Sequence, residues 1–265
     1  MRVQAILSAL LTLAAAFAAR AEVPGIGPWQ VEDQARARLV AAIGAVGVQA
    51  SVTLGLEIRL APGWKTYWRN PGDSGLAPAF DWAGSDNLRR VQIDWPAPKR
   101  WRQDGQSSFV YEDHVVLPLA VQLDRPERPL ALRLALDYAV CREVCIPLNA
   151  SLALDLPAGA ARPAEMARTI ARFAARVPRE RPEVEISAEW SRGGGYLILS
   201  LAGIGESADV FVEGPDGMSF GPPEKIYDRL RLGVHGGRPL PDTEVTATLV
   251  DGPLLIERRL KPFLR

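Results

Sequence analysis

From Val48 to Leu60 the chain keeps a period of two. Val48, Ala50, Val52, Leu54, Leu56, Ile58 and Leu60 are apolar, and only Gly55 interrupts the polar series Gln49, Ser51, Thr53, Glu57 and Arg59 between them. Successive side chains of a strand point to opposite faces, so this pattern commits the segment to a sheet with one buried face. Leu88–Trp95, Val115–Leu123, Leu130–Ala139 and Ser151–Leu156 are further strand candidates. Turn signals such as Pro62-Gly63 and Asn70-Pro71-Gly72-Asp73-Ser74-Gly75 punctuate them. Strands at intervals of about 10–20 residues, with 23 Gly and 22 Pro in the chain, predict an antiparallel sandwich.

Residues 162–177 break the pattern. Met166, Ile170, Phe173 and Val177 fall on one helical face, with Pro163 at the start and Pro178 as a stop, which predicts a connecting helix. A charged linker, Arg179–Pro182, follows. Alternation returns in Val184–Trp190 and Tyr196–Leu201, and Asp209–Val212, Glu244–Val250 and Leu254–Leu260 complete a second small sheet structure. The expected fold class is mainly β: a sandwich over residues 22–160, a helical linker over 161–182, and a second small β-sandwich over 183–265.

The N-terminus reads as an address. Met1-Arg2 precedes an apolar stretch, Val3–Ala18, closed by Ala19-Arg20-Ala21, so residues 1–21 are expected to be a signal peptide cut before Glu22. The run of about 14–16 apolar residues is short of the ~20 that span a bilayer. No later stretch is long and apolar enough to do so, and the mature chain is expected to be exported to the periplasm. Lys+Arg and Asp+Glu balance at 31 each, which gives no support to a nucleic-acid or anionic-membrane binder. Two His leave little room for a His-rich metal site, and no Gly-x-Ser-x-Gly elbow is present. Gly193-Gly194-Gly195 and Gly236-Gly237 read as hairpin turns rather than phosphate loops, because no helix pattern follows either.

The aromatics are unevenly spread: Trp29, Trp64, Trp68, Trp82, Trp95 and Trp101 precede the single later Trp190. Most are expected to fill core and inter-sheet space. Trp64, Tyr67 and Trp68 sit in a Pro/Gly-rich context that also allows a partly exposed binding surface.

The chain's two cysteines stand four apart, in Tyr138-Ala139-Val140-Cys141-Arg142-Glu143-Val144-Cys145-Ile146-Pro147. Three readings compete. A permanent staple over so short a loop contributes on the order of 2 kcal/mol, which a domain of this size does not need. A metal site would need further ligands from His114, His235 or a carboxylate, and none are grouped in the sequence; copper capture by the two soft thiolates is the weakest form of this idea. A redox pair exchanges between dithiol and disulfide with another protein, and tight exposed pairs are the labile ones. Arg142 favours a thiolate, Glu143 opposes it, and a charged loop suggests access for a partner sulfur. Pro147 adds a stiff shoulder by fixing φ.

Tyr138-x-x-Cys141-x-x-x-Cys145-x-Pro147, after a β-rich region, resembles the periplasmic N-terminal domain of the DsbD thiol:disulfide interchange family, in particular its ScsB-type (suppressor of copper sensitivity) variant. Gly63-Trp64-Lys65-Thr66-Tyr67-Trp68-Arg69-Asn70-Pro71-Gly72-Asp73-Ser74-Gly75 resembles that family's upstream loop. Tyr111-Glu112-Asp113 leading to Leu117-Pro118-Leu119 resembles its Tyr-x-Asp-x-x-x-x-Pro strand. The resemblance covers about residues 35–157.

It implies an immunoglobulin-like sandwich with the cysteines near a strand end. It further implies an electron relay in which a membrane-embedded thiol reductase reduces the pair and the pair reduces periplasmic disulfide or thioredoxin-like proteins. Cys145 would form the mixed disulfide and Cys141 would resolve it; Tyr67, Trp68, Tyr111, Tyr138 and Pro147 would shape the sulfur environment. No cofactor or metal is expected, and the protein is expected to be a monomer. The better-known domain carries a cap loop with adjacent aromatics. The corresponding stretch, Arg102–Gln106, has none, and Trp101 and Phe109 only flank it. With neither a membrane domain nor a thioredoxin-like domain in 265 residues, the chain is expected to draw electrons from a separate protein. The competing function is a non-catalytic accessory module with a structural disulfide, related to copper stress.

Overall fold

The computed structural model describes residues 24–237, 239–240 and 242–264. The expected signal peptide lies outside the described residues. Among the described residues no helix is long and apolar enough to cross a membrane.

The first unit holds β1 (Gln30–Val31), β2 (Ala35–Ala41), β3 (Ser51–Leu60), β4 (Lys65–Gly72), β5 (Ala79–Asp81), β6 (Leu88–Ile93), β7 (Lys99–Gln103), β8 (Gln106–Glu112), β9 (His114–Leu123), β10 (Leu130–Cys141) and β11 (Cys145–Leu156). One sheet runs β1-β2-β3-β9-β6. The other runs β11-β10-β4-β8-β7, with β5 also paired to β10. Leu39, Leu54, Leu56, Trp68, Leu119, Leu132 and Leu136 belong to one core between them. This is the expected mainly β, immunoglobulin-like sandwich.

In β3 the period-two face is buried, as the sequence pattern requires, but Gly55 and Glu57 of the opposite face are buried too. Helix α1 (Ala167–Ala174) explains this by covering that face with Ile170 and Phe173. A Cβ at Gly55 would stand 2.7 Å from Val116 Cγ1 and 3.3 Å from Ile170 Cγ1, so a side chain there would displace Val116 and press on the helix. The helix is shorter than the predicted 162–177: Met166 caps its start and Val177 lies beyond its end.

Under this helix edge Glu57 is fully shielded from solvent, and it accepts hydrogen bonds from Arg38 Nε (2.7 Å), Arg59 Nε (2.9 Å) and His114 Nε2 (3.0 Å). Burial pushes the carboxyl up, but those three donors outweigh it and hold its pKa at about 2. Because the folded value lies below the ordinary one, Glu57 stabilises the fold above about pH 4.5 and ceases to do so as pH falls towards 2. The expected loss over that window is about 3 kcal/mol. Acid titration of urea unfolding should show this slope in the wild type and not in Glu57→Gln.

The second unit holds β12 (Ser187–Trp190), β13 (Tyr196–Ser200), β14 (Asp209–Glu213), β15 (Ser219–Phe220), β16 (Glu224–Ile226), β17 (Arg229–His235), β18 (Val245–Asp251), β19 (Leu254–Leu260) and β20 (Phe263–Leu264). A sheet of order β15-β17-β13-β12-β20, with β16 on β17, packs with the three-stranded sheet β14-β18-β19 around a core containing Trp190, Leu197, Leu232 and Ile256. Gly193–Gly195 form the β12–β13 turn as expected. Gly236-Gly237 differ from the expectation: they follow β17 on the way to β18 in the other sheet, so they do not close a hairpin.

The two units are packed together. Asp209, Phe211 and Glu213 share one face of β14, and all three meet the first unit. The Phe211 ring is a member of the first unit's core, 4.8 Å from Phe109 and 6.0 Å from Trp68 between centroids. Arg100 of β7, its side chain 5% exposed, grips both carboxylate oxygens of Asp209 and donates to the Val210 carbonyl at 2.7 Å. Arg69 of β4 pairs with Glu213 at 2.6 Å and also with Glu257 of β19.

Candidate redox site

The cysteines terminate two paired strands. Cys141 is the last residue of β10, Cys145 the first of β11, and the two face each other at the open end of an antiparallel ladder that runs back to Leu130 opposite Leu156. A disulfide joins them, with Cα atoms 4.1 Å apart. The strand expected to begin at Ser151 therefore begins at Cys145. Arg142-Glu143-Val144 is the hairpin loop, and all three residues are exposed, Val144 to 68%. Pro147 sits in β11 opposite Ala139.

The two sulfurs differ in environment. Cys141 is 4% exposed and packs in a small cluster with Tyr67, Val110 and Ala139, flanked by Trp101. Cys145 is exposed. The Tyr67 hydroxyl lies 3.1 Å from Cys145 Sγ. A disulfide sulfur carries no proton, so the phenol donates. A phenol is protonated at neutral pH, and burial pushes the Tyr67 hydroxyl further above its ordinary pKa.

Tyr67 is held from three sides. Thr66, its neighbour, pairs with Val140 and donates from Oγ1 to the Ala139 carbonyl at 2.9 Å. Tyr67 itself pairs with Val110, and after it the ladder to β8 is interrupted until Gly72. Gly75 then returns over the ring: a Cβ there would lie 2.4 Å from Tyr67 Cε1, and its φ of +142° suits glycine alone. The loop carrying Gly75 is tied down by the Ser107 N–H donating to Asp73 Oδ2 at 2.9 Å and by Ser108 Oγ donating to the Ser74 carbonyl at 2.6 Å.

Of the other residues named from sequence, Trp68, Tyr111 and Tyr138 belong to the main core rather than the sulfur cluster. Trp68 packs on Phe109 and Phe211, and Tyr111 donates to the Pro96 carbonyl at 2.7 Å. The Tyr138 hydroxyl is pushed up to about 12 by burial and by Glu32. Tyr67 and Trp68 are strand residues and buried, so the partly exposed aromatic surface allowed by their Pro/Gly context does not include them. Trp64 is half-buried, with the Arg142 guanidinium 5.5 Å from its ring centre.

Arg102–Gln106 contains the β7–β8 turn, and Trp101, just before it, supplies an aromatic beside the sulfur cluster, with Lys65 Nζ 4.5 Å from its ring. Trp101, Val110 and Gly75 join the site without a sequence signal of their own, although Gly75 closes the segment that resembles the family loop. Among the described residues no group of three or more His, Cys, Asp or Glu gathers as a metal set, and His114 is engaged with Glu57 and the Phe173 ring.

The family model for the N-terminal part of the thiol:disulfide interchange protein DsbD matches residues 34–157. The crystal structure of the N-terminal periplasmic domain of ScsB from Proteus mirabilis is similar at 26% identity and a TM-score of 0.74, covering 91% of this chain and 99% of that one. Residues 34–157 form a DsbD/ScsB-type N-terminal domain. The ScsB match extends past this DsbD-type domain, well beyond the region whose resemblance is legible in sequence. The Neisseria meningitidis DsbD N-terminal domain in the reduced form is matched at 14% identity and a TM-score of 0.27, covering 54% of this chain and 91% of that one. No curated protein matches the chain. The Cys pair thus lies in a domain of the thiol:disulfide interchange family.

Proposed function

We propose that the protein is a periplasmic thiol:disulfide relay, carrying electrons from a membrane-embedded thiol reductase to exported disulfide or thioredoxin-like proteins. The observation that carries this reading is the asymmetry of the pair: one exposed sulfur with a hydroxyl donor on it, and one buried sulfur directly behind it. In the reduced protein the Cys145 thiolate attacks the partner's disulfide. A Cys145–partner bond forms and the partner's second sulfur leaves as a thiolate. Cys141, deprotonated in turn, attacks Cys145, closing the intramolecular disulfide and releasing the partner's first sulfur. Two electrons and, after protonation, two protons have passed to the partner. The reductase reverses the sequence on this protein. The Tyr67 hydroxyl stabilises charge on Cys145 wherever the thiolate appears, and Trp64, Val144 and Ile146 give the approaching protein apolar surface around it.

The test is the reduction potential of the Cys141–Cys145 couple in the full mature chain. A relay requires a value above about −300 mV; a value below it makes the bond a structural staple and overturns the reading.

A further inference from the structure

We infer that residues 183–265 position the redox site: the second unit fixes β4 through Phe211, Glu213 and Glu257, and thereby holds Tyr67 on Cys145. This rests on the proposed redox role of the pair and assigns Arg69 and its two carboxylate partners as positioning residues.

The argument begins with an interruption. β4 pairs with β8 through Lys65, Thr66 and Tyr67, and the next pair is Gly72 with Ser108. Trp68 to Pro71 have no β8 partner in the ladder, and Tyr67 is the last residue before the gap. Unpaired strand backbone next to a reactive group would let that group drift. Here the second unit holds the side chains of the unpaired stretch. Trp68 is packed by Phe211, and the Arg69 guanidinium binds Glu213 through Nε and Nη2 and Glu257 through Nη2. A guanidinium held by two carboxylates is a geometric clamp as well as a charge pair. Tyr67 and Trp68 project to opposite faces of one strand, so the residue touching the sulfur and the residue packed by Phe211 are adjacent. A shift of β4 at Arg69 is passed directly to the phenol.

The clamp is also fixed at its far side. Thr248 Oγ1 donates to Glu257 at 3.2 Å, and Arg100, whose guanidinium lies about equally close to the Phe109 and Phe211 rings, grips Asp209 on the same face of β14. The linker is tied in as well, since the Glu257 N–H donates to the Arg179 carbonyl at 3.1 Å. These contacts tie β4 to β14, β19 and the linker at several points.

The experiment measures how fast Cys145 is alkylated by iodoacetamide across pH, using the reduced, full mature chain with Cys141→Ala. Glu213→Gln combined with Glu257→Gln should slow alkylation at neutral pH by about three- to tenfold and move its pH midpoint upward, as Tyr67→Phe should by about tenfold. Added to Tyr67→Phe, the double glutamine change should have no further effect, because it acts only through the phenol. Arg69→Lys, which keeps the charge and loses the fork, should fall between wild type and the double variant, and it serves if the double variant does not fold. Asp155→Asn, which breaks the exposed Arg133–Asp155 pair, should leave the rate unchanged while testing for general loosening. An unchanged rate in both the double variant and Arg69→Lys, or effects that add to that of Tyr67→Phe, overturns the inference. The readout needs no protein partner, so it stands apart from the relay itself: a protein that reduces no disulfide partner would sink the relay and leave the coupling measurable.

Discussion

Reduced protein carrying Cys141→Ala, mixed with a disulfide-bonded thioredoxin-like protein, should accumulate a mixed disulfide through Cys145. Cys145→Ala should give none, and both should lose all turnover. The physical ground is access. An attacking thiolate must approach along the axis of the bond it breaks. Cys145 offers that approach from solvent, at the head of β11 beside an exposed three-residue loop. Cys141 is 4% exposed and enclosed by Tyr67, Val110 and Ala139. The buried sulfur is left with one task, attack on its immediate neighbour. Mass spectrometry of the trapped species reads the linkage directly. A stable adduct on Cys141 in the Cys145→Ala protein would reverse the two roles.

Phe211→Ala should destabilise the whole described body by about 3–5 kcal/mol, the usual cost of removing a buried phenylalanine ring. The ring lies on a strand of the second unit but in the core of the first, so the cavity opens in both. Thermal unfolding of the wild type should accordingly show one transition, and the variant's single transition should fall well below it. Phe263→Ala is the matched comparison: its ring is 56% exposed at the end of β20, and its removal should change stability by less than about 0.5 kcal/mol. Two separate wild-type transitions, or equal effects from the two substitutions, would mean that the units do not share a core.

Much of this architecture is legible in the amino-acid order, for identifiable reasons. Ser51–Leu60 alternates in residue type, and Tyr196–Ser200 and most of Leu130–Cys141 alternate in burial as well, so their period is visible without neighbours. Ile170 and Phe173 announce the helix by their spacing and are its buried residues. The architecture is obscured where one local signal masks another. Pro147 and the charged pair Arg142-Glu143 read as loop, yet β11 starts at Cys145 because the hairpin register to β10 outweighs the local breaker. Pro71, Gly72 and Gly75 likewise hide that Tyr67 and Trp68 lie in a strand.

Phe211 is the least legible of these residues. In Asp209-Val210-Phe211-Val212-Glu213 the two valines account for the unit's own core, and a strand with water on its other side has no use for Phe211. An apolar residue on the face that carries Asp209 and Glu213 is the signal of a second buried face. What covers it comes from residues more than a hundred positions earlier, Trp68, Arg69, Arg100 and Phe109, which periodicity cannot supply.

Placing Cys141 and Cys145 as the terminal facing pair of β10 and β11 has a kinetic consequence. The sulfur–sulfur bond joins two residues that the ladder back to Leu130 and Leu156 already keeps side by side. Opening it releases no long loop, and closing it requires no search through chain conformations. The ladder that aligns the two cysteines does not depend on the bond, so reduction is expected to leave the backbone in place and to need little structural reorganisation. In the proposed relay a donor and an acceptor would then meet the same surface, told apart by the state of two atoms, and the protein would pass between them without refolding.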